Sequence, residues 1–522
     1  MKILSQNELK LRYENLWKAV FIYSLPTIFV MTISASYPLI DKLISLAFVT
    51  QNVLDYQPYL EWYKNNINVN NGILSEQIAK EFVNIATQVS SQIYNLLFSF
   101  AVLTALGASI SFSYRYGQVN REEAKIISGN SMTITVLFSL FAGLFVFTLV
   151  YPKWDNIIIF IQLSKKGAWI IQDLTWRYIW PMLIASPLMF INFLLLTLLG
   201  ADGKGKWAAL ITVLSIPINA VFAIIFVKAG HLLLEGAILG TIVSWAISIA
   251  ISMTIIYKNH DSYLRFRWHD LYILKKNNLK KIFQLGLPSF LNNLAIASVA
   301  ILSATIIAYL PGQVEQRNQY GSSMLQLYNS AISPWIMLFT SVALGISQGS
   351  KSLISYSYGA KQYHKIYQIS WRSYILVTGW LVIVFFICLL FAPSLMRVFA
   401  FPPENVSEVR WWVVLMMMSF PLAGISFTAT TLFQGINKTR LATIVSSLRA
   451  IIILPILVII GYFIAHAFDD GTTYSNWYYF LVIGLNDLIS GVIVGIILAV
   501  FLSKRKNSFL KKPPAQTEPA LI

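Results

Sequence analysis

Ser113-Tyr114-Arg115-Tyr116-Gly117 recurs as Ser355-Tyr356-Ser357-Tyr358-Gly359, 242 residues later (355 − 113), each copy closing a long apolar run and opening a cationic stretch. Each also follows a Leu-Gly pair, Leu106-Gly107 and Leu344-Gly345. Two more landmarks repeat in the same order. Leu25-Pro26 stands near the start of the first apolar segment and Leu287-Pro288 near the start of the seventh, while Lys204-Gly205-Lys206-Trp207-Ala208 matches Lys438-Thr439-Arg440-Leu441-Ala442. Three paired landmarks in one order mark an internal duplication, and a duplicated chain is built from two equivalent units.

Hydrophobic residues make up 57% of the chain, charged residues only 12%, and the mean hydropathy is +0.64. So much apolar surface has no place in a water-soluble fold and belongs in a bilayer. A spanning helix needs about 20 apolar residues to cross about 30 Å of hydrocarbon. Twelve stretches qualify, at 20–48, 86–114, 126–151, 173–200, 207–228, 232–257, 282–310, 322–358, 366–393, 409–435, 441–465 and 475–503. The expected fold is therefore all-α and integral to the membrane, with twelve transmembrane helices in two six-helix bundles, residues 1–257 and 282–503, related by a pseudo-twofold axis. A basic cytoplasmic linker, 258–281, joins them, and a disordered cytoplasmic tail, 504–522, follows. An even number of crossings per half makes this a parallel repeat about an axis normal to the membrane, with a cleft between the halves. Two like bundles that rock about a central site are the physical basis of alternating access, so a transporter is the leading expectation.

The net charge of +17 follows the same topology. With both termini cytoplasmic, Lys2, Lys10, Arg12, Arg115, Arg121, Lys125, the cluster from Lys258 to Lys281, and the tail Lys504 to Lys512 all fall on the inner face. That is the positive-inside pattern of a multi-pass plasma-membrane protein, and attraction to anionic inner-leaflet lipid accounts for the basic charge without nucleic acid. The single cysteine, Cys388, reads as a small core or lipid-facing residue, and the five histidines lack metal-ligand spacing, so no metal site is expected. An outer loop at 49–85 is the main asymmetry between the halves. It reads as a solvated cap in which Ile78, Phe82, Ile85, Ala86 and Val89 extend the second helix above the membrane. Trp154, Trp176, Trp411, Trp412, Trp477 and Tyr478 are expected to face lipid or sit at the interfacial belt, and Met416-Met417-Met418 to face lipid.

The repeated signature, the Leu-Pro helix starts and the short basic inner loops together resemble the multidrug and toxic compound extrusion (MATE) family. LGISQGSKSLISYSYGAKQYHKIYQ at 344–368 is similar to that family's eighth helix and following loop, and LGASISFSYRYGQVNREEAK at 106–125 to its second. LIDKLISLAF at 39–48 resembles the first-helix Asp segment, LFQGINKTRLA at 432–442 the tenth-to-eleventh turn, and GLNDLISGVIVGIIL at 484–498 the last helix. The resemblance implies a V-shaped secondary antiporter, a monomer without a resident cofactor. It would export organic, cationic or amphipathic small molecules in exchange for H⁺ or Na⁺, against surrounding membrane lipid. Two departures stand out. Asn219 is followed four residues later by Ala223 where the family often has Asp, and the seventh helix offers Asn292 and Asn293 where some members carry an acid.

An ionisable side chain inside hydrocarbon costs about 2.5 to 3.5 kcal/mol on insertion scales, so it faces a cavity or a partner and is a functional candidate by default. Asp41 and Asp487 are the ion-coupling candidates with Asn219. A buried carboxylate can exchange a proton for a cationic substrate as water access alternates. The plainer accounts are neutralisation of Asp41 by Lys42 near the outer interface, and for Asp487 an interhelical hydrogen bond or a pair with Arg449. Asn292, Asn293, Gln348, Lys351 and Asn486 are the substrate-cavity candidates. Gln348, Lys351, Ser352 and Ser355 share one helix face, which should look onto the cleft or another helix. Snorkelling to the interface is the alternative for Lys351 and Arg449. A lipid or oligosaccharide flippase of the same broader superfamily is the second reading, although Lys42, Lys351 and Arg449 are few cations for an anionic-lipid site. An enzyme is not expected, since no paired carboxylates or His cluster meet at an interface, and no phosphate-cradling glycine loop is present.

Overall fold

The structure, a computed structural model, describes residues 15–66, 72–150, 168–258, 262–272, 275–307, 309–311, 324–398, 406–469 and 475–510. All regular structure among them is helical. In chain order the helices are α1 (Leu16–Leu54), α2 (Gln57–Asn66), α3 (Gly72–Gly117), α4 (Arg121–Val150), α5 (Ala168–Ile184), α6 (Ser186–Ala201), α7 (Gly205–Lys228) and α8 (Leu234–Lys258). After α9 (Trp268–Tyr272) the second half runs through α10 (Lys276–Ile307), α11 (Met324–Gly359), α12 (Tyr363–Arg397), α13 (Val406–Met417), α14 (Ala423–Gly435), α15 (Thr439–Ala467), α16 (Ser475–Gly484) and α17 (Asn486–Leu510). Among the described residues ten helical stretches are long and apolar enough to cross a membrane, α13 with α14 and α16 with α17 each counting as one, and the pair α5–α6 makes an eleventh if counted as one span. α10, at 32 residues, occupies the place of the remaining span and is ~48 Å long at the standard rise.

Helix starts follow capping chemistry. Asn15 accepts from the Trp17 N–H at 3.0 Å, and Asn120 Oδ1 accepts from Glu123 N–H at 3.3 Å ahead of an acidic first turn. The fourth span, expected unbroken over 173–200, bends by 60° at Ala185, because Pro187 in the first turn of α6 takes away the N–H that would continue the ladder. Two π-helical turns interrupt otherwise regular helices, Ser45–Val49 in α1 and Leu448–Ile453 in α15. The last helix continues to Leu510, so residues 504–510, expected in a disordered tail, are helical; 511–522 lie outside the described residues.

The expected basic linker is in part a packed element. Tyr263 and Leu264 are buried, and Ser262 Oγ donates to Asp202 Oδ2 at 2.7 Å, an oxygen that also holds Lys204 at 2.8 Å. Burial pushes the Asp202 carboxyl above the usual carboxylate range, with Lys204 pulling the other way. The outer loop is likewise more than a solvated cap. α2 buries Tyr59 and Trp62 against Phe82 of α3, and the helical extension of the second span is present as part of the 46-residue α3. Trp412 and Met417, expected against lipid, are core residues, whereas Trp411 is exposed. Cys388 is buried in the core, and Trp154 lies outside the described residues.

The halves meet most extensively along two helix pairs, α1 with α11 and α3 with α10, and α3 also packs on α11. Both contacts depend on missing side chains. A Cβ on Gly107 would overlap the Ile282 carbonyl and one on Gly286 the Leu103 carbonyl, while Gly349 sits against the backbone of Ser24. Thr27 Oγ1 donates to the Gly345 carbonyl at 2.7 Å across the first pair.

Candidate functional site

The repeated five-residue motif packs against itself. The Gly117 Cα lies on the Tyr356 carbonyl and the Gly359 Cα on the Tyr114 carbonyl, so each glycine fits the other copy's first tyrosine. The rings pair in the same sense, Tyr114 with Tyr358 at 5.9 Å and Tyr116 with Tyr356 at 5.7 Å. Two residues beyond each glycine the backbone turns through a positive φ, 55° at Val119 and 60° at Lys361. Gly203 and Asn437 form a second matched pair of turns, at φ 76° and 60°. The motif is thus a seam at which the two halves touch.

Away from this seam, in the first half, Asp41 is 2% exposed. Tyr178 of α5 donates to Asp41 Oδ2 at 2.7 Å, and Thr241 of α8 lies 3.2 Å from both carboxylate oxygens. Asn219 of α7 turns its buried amide toward the same carboxylate, beyond the distance of a well-formed hydrogen bond. One turn before Asp41 on the same face of α1, Tyr37 OH meets Ser215 Oγ at 2.8 Å and packs edge-on to Trp245. Asp41 therefore gathers four helices. Its oxygens are engaged by Tyr178 and Thr241, not by Lys42, which corrects the expectation of a neutralising neighbour. Lys42 points about 100° further round the helix, as adjacent positions must.

The second half holds a cavity of about 20 Å³, room for about one water. Asn292, Asn293, Gln348, Lys351 and Arg449 all line it, so the structure brings together most of the cavity candidates. Lys351 is 4% exposed and donates to Ser289 Oγ at 3.1 Å. Ser289 is fixed in turn by Gln434, whose amide lies 3.0 to 3.2 Å away and donates to the Leu285 carbonyl at 2.8 Å. Arg449 donates through Nε to Asp487 at 2.6 Å, stacks over Phe427, and sits in the π-helical turn of α15, which swings this side chain inward. Asn486 Nδ2 donates to the same Asp487 oxygen at 3.2 Å. Asp487 is thus half of a fixed ion pair behind the lining, and neither Lys351 nor Arg449 snorkels, since both are held by interior partners. Of the expected polar stripe on α11, Gln348 and Lys351 face the cavity, whereas Ser355 donates to the Ile110 carbonyl on α3.

Tyr178, Thr241, Ser289 and Gln434 were not singled out by sequence reasoning. Their only signal was a lone hydroxyl or amide in an apolar helix, a pattern that many packing residues share. Among the described residues no three His, Cys, Asp or Glu side chains cluster as a metal site would require.

The MatE family profile matches residues 86–225 and 317–459, more than half of the chain and one block in each half. The chain belongs to the MATE family. This MATE protein is 22% identical over 383 residues to the multidrug export protein MepA of Staphylococcus aureus strain MSSA476, covering 72% of this chain and 78% of that one. In fold it is similar to a MOP superfamily transporter from Pyrococcus furiosus described as having a binding pocket of reverse polarity. The TM-score is 0.75 at 17% identity, covering 97% of this chain and 99% of that one. It is also similar to the outward-facing conformation of a multidrug resistance MATE family transporter, with a TM-score of 0.73 at 17% identity, covering 97% and 100%. The protein is a multi-pass membrane transporter and not an enzyme.

Proposed function

We propose that this MATE transporter is a secondary antiporter of the plasma membrane, exporting amphipathic organic cations in exchange for entering H⁺ or Na⁺, with Asp41 as the coupling carboxylate. The observation that carries this reading is the convergence of Tyr178 and Thr241 on one buried acid, with the buried Asn219 amide beside it. H⁺ or Na⁺ arriving at a carboxylate held by hydroxyl donors from two other helices competes with those donors for its oxygens, which couples ion binding to helix position. Both termini are cytoplasmic in this reading, the motif seam closes the cytoplasmic end, and the protein acts as a monomer. Similarity to MepA supports a multidrug cargo.

The test is transport in proteoliposomes. An imposed pH or Na⁺ gradient is expected to drive efflux of a fluorescent lipophilic cation, and whichever gradient works identifies the ion. Absence of gradient-driven efflux with either ion refutes the proposal.

A further inference from the structure

We propose that the cavity of the second half is a subsite for a carboxylate carried by the exported compound, with Lys351 as its counter-charge. This rests on the exporter reading and names the part of the substrate that the second half recognises. Two cations, Lys351 and Arg449, face the cavity, and no carboxylate lines it. Their situations differ. Arg449 has its counter-ion in Asp487, whose carboxylate is occupied by Arg449 and Asn486. Lys351, almost fully buried, has one hydrogen bond, to the neutral Ser289 hydroxyl, and enters no ion pair among the described residues. A buried ammonium without an anion is among the costliest arrangements a protein keeps, and an incoming carboxylate removes that cost.

A second observation points to an acceptor ligand. Ser347 and Ser426 line the same cavity, are 2% and 3% exposed, and carry hydroxyls with no hydrogen-bond partner. Ser289 and Gln434 are already satisfied by one another and by Lys351, so they fix the lysine and leave the two serines to donate. One ammonium and two hydroxyl donors around a small void are suited to a single oxyanion. One lysine balances one carboxylate at the tip of a larger molecule and would leave a multiply charged phosphate head group unneutralised. With the acid Asp41 in one half and the base Lys351 in the other, the preferred cargo carries both a cationic centre and a carboxylate.

The experiment compares a rhodamine free acid with its ethyl ester, which share the cationic ring system and differ in the carboxylate. Binding to the purified full-length protein is followed by fluorescence anisotropy. The wild type is expected to bind the acid more tightly than the ester, and K351M to reduce the acid-to-ester affinity ratio about tenfold, with K351R retaining most of it. Equal loss for both dyes in K351M, or equal wild-type affinities, overturns the proposal. S426A, which alters no charge, is expected to lower the same ratio a few-fold, and it decides the matter if K351M is not recovered folded. Gradient-driven efflux of the ester without preference for the acid refutes this subsite alone, whereas efflux of neither dye refutes the exporter reading itself.

Discussion

At the scale of single residues, two aspartates that look alike in the sequence differ in chemistry. Among the described residues Asp41 is held by neutral groups, so its charge is free to be exchanged, whereas Asp487 is committed to Arg449. Asp41→Asn is therefore expected to reduce gradient-driven efflux at least tenfold while leaving thermal stability in detergent nearly unchanged, since the amide is close in size. Retention of full gradient-driven efflux in that variant would remove Asp41 from the mechanism. Breaking the second site should instead cost stability. Arg449→Met alone leaves a buried carboxylate unpaired, about 3 kcal/mol, and the double change with Asp487→Leu should recover much of that. Denaturant or thermal unfolding of the three variants checks the expected non-additivity, and additive losses would contradict it.

At the scale of elements, the matched turns after α3 and α11 place a residue in the left-handed region of backbone space, and in the first half that residue is the β-branched Val119. A β-branched side chain is strained there, by roughly 1 kcal/mol or more. Val119→Asn is expected to raise thermal stability by about that amount, and an unchanged or lowered unfolding temperature counts against the assignment. The glycines next to these turns act through close approach. Gly359→Val places methyl groups in the Tyr114 carbonyl and should hold the seam apart. An engineered cysteine at Tyr114, in a Cys388→Ser background, should then react faster with a polar thiol reagent than the same cysteine beside an intact Gly359.

At the scale of the whole molecule, the halves are tied at the seam and along α1–α11 and α3–α10, while the polar clusters sit one in each half. In the proposed antiport cycle the seam has to part. Cross-linking cysteines placed at Tyr114 and Tyr358, whose rings lie 5.9 Å apart, with a short reducible bifunctional reagent should stop efflux. Reduction should restore it. Unimpaired efflux in the cross-linked protein would mean that the seam does not move during transport.

The sequence by itself determined the membrane setting, the order of the spans and the duplication, because these depend on runs of apolar residues and on local turn chemistry that a linear reading sees. It also marked Asp41, Lys351 and Asp487, since an ionisable group in an apolar span is conspicuous in any context. What it could not assign was the partner of each. Pairing Arg449 with Asp487, bringing Tyr178 and Thr241 to Asp41, and leaving Lys351 without an anion among the described residues are decisions of tertiary packing between helices far apart in the chain. The same holds for the seam. Ser-Tyr-x-Tyr-Gly announced that the chain is built twice, but only the fold, by setting each glycine against the other copy's tyrosine carbonyl, turned the repeat into a contact.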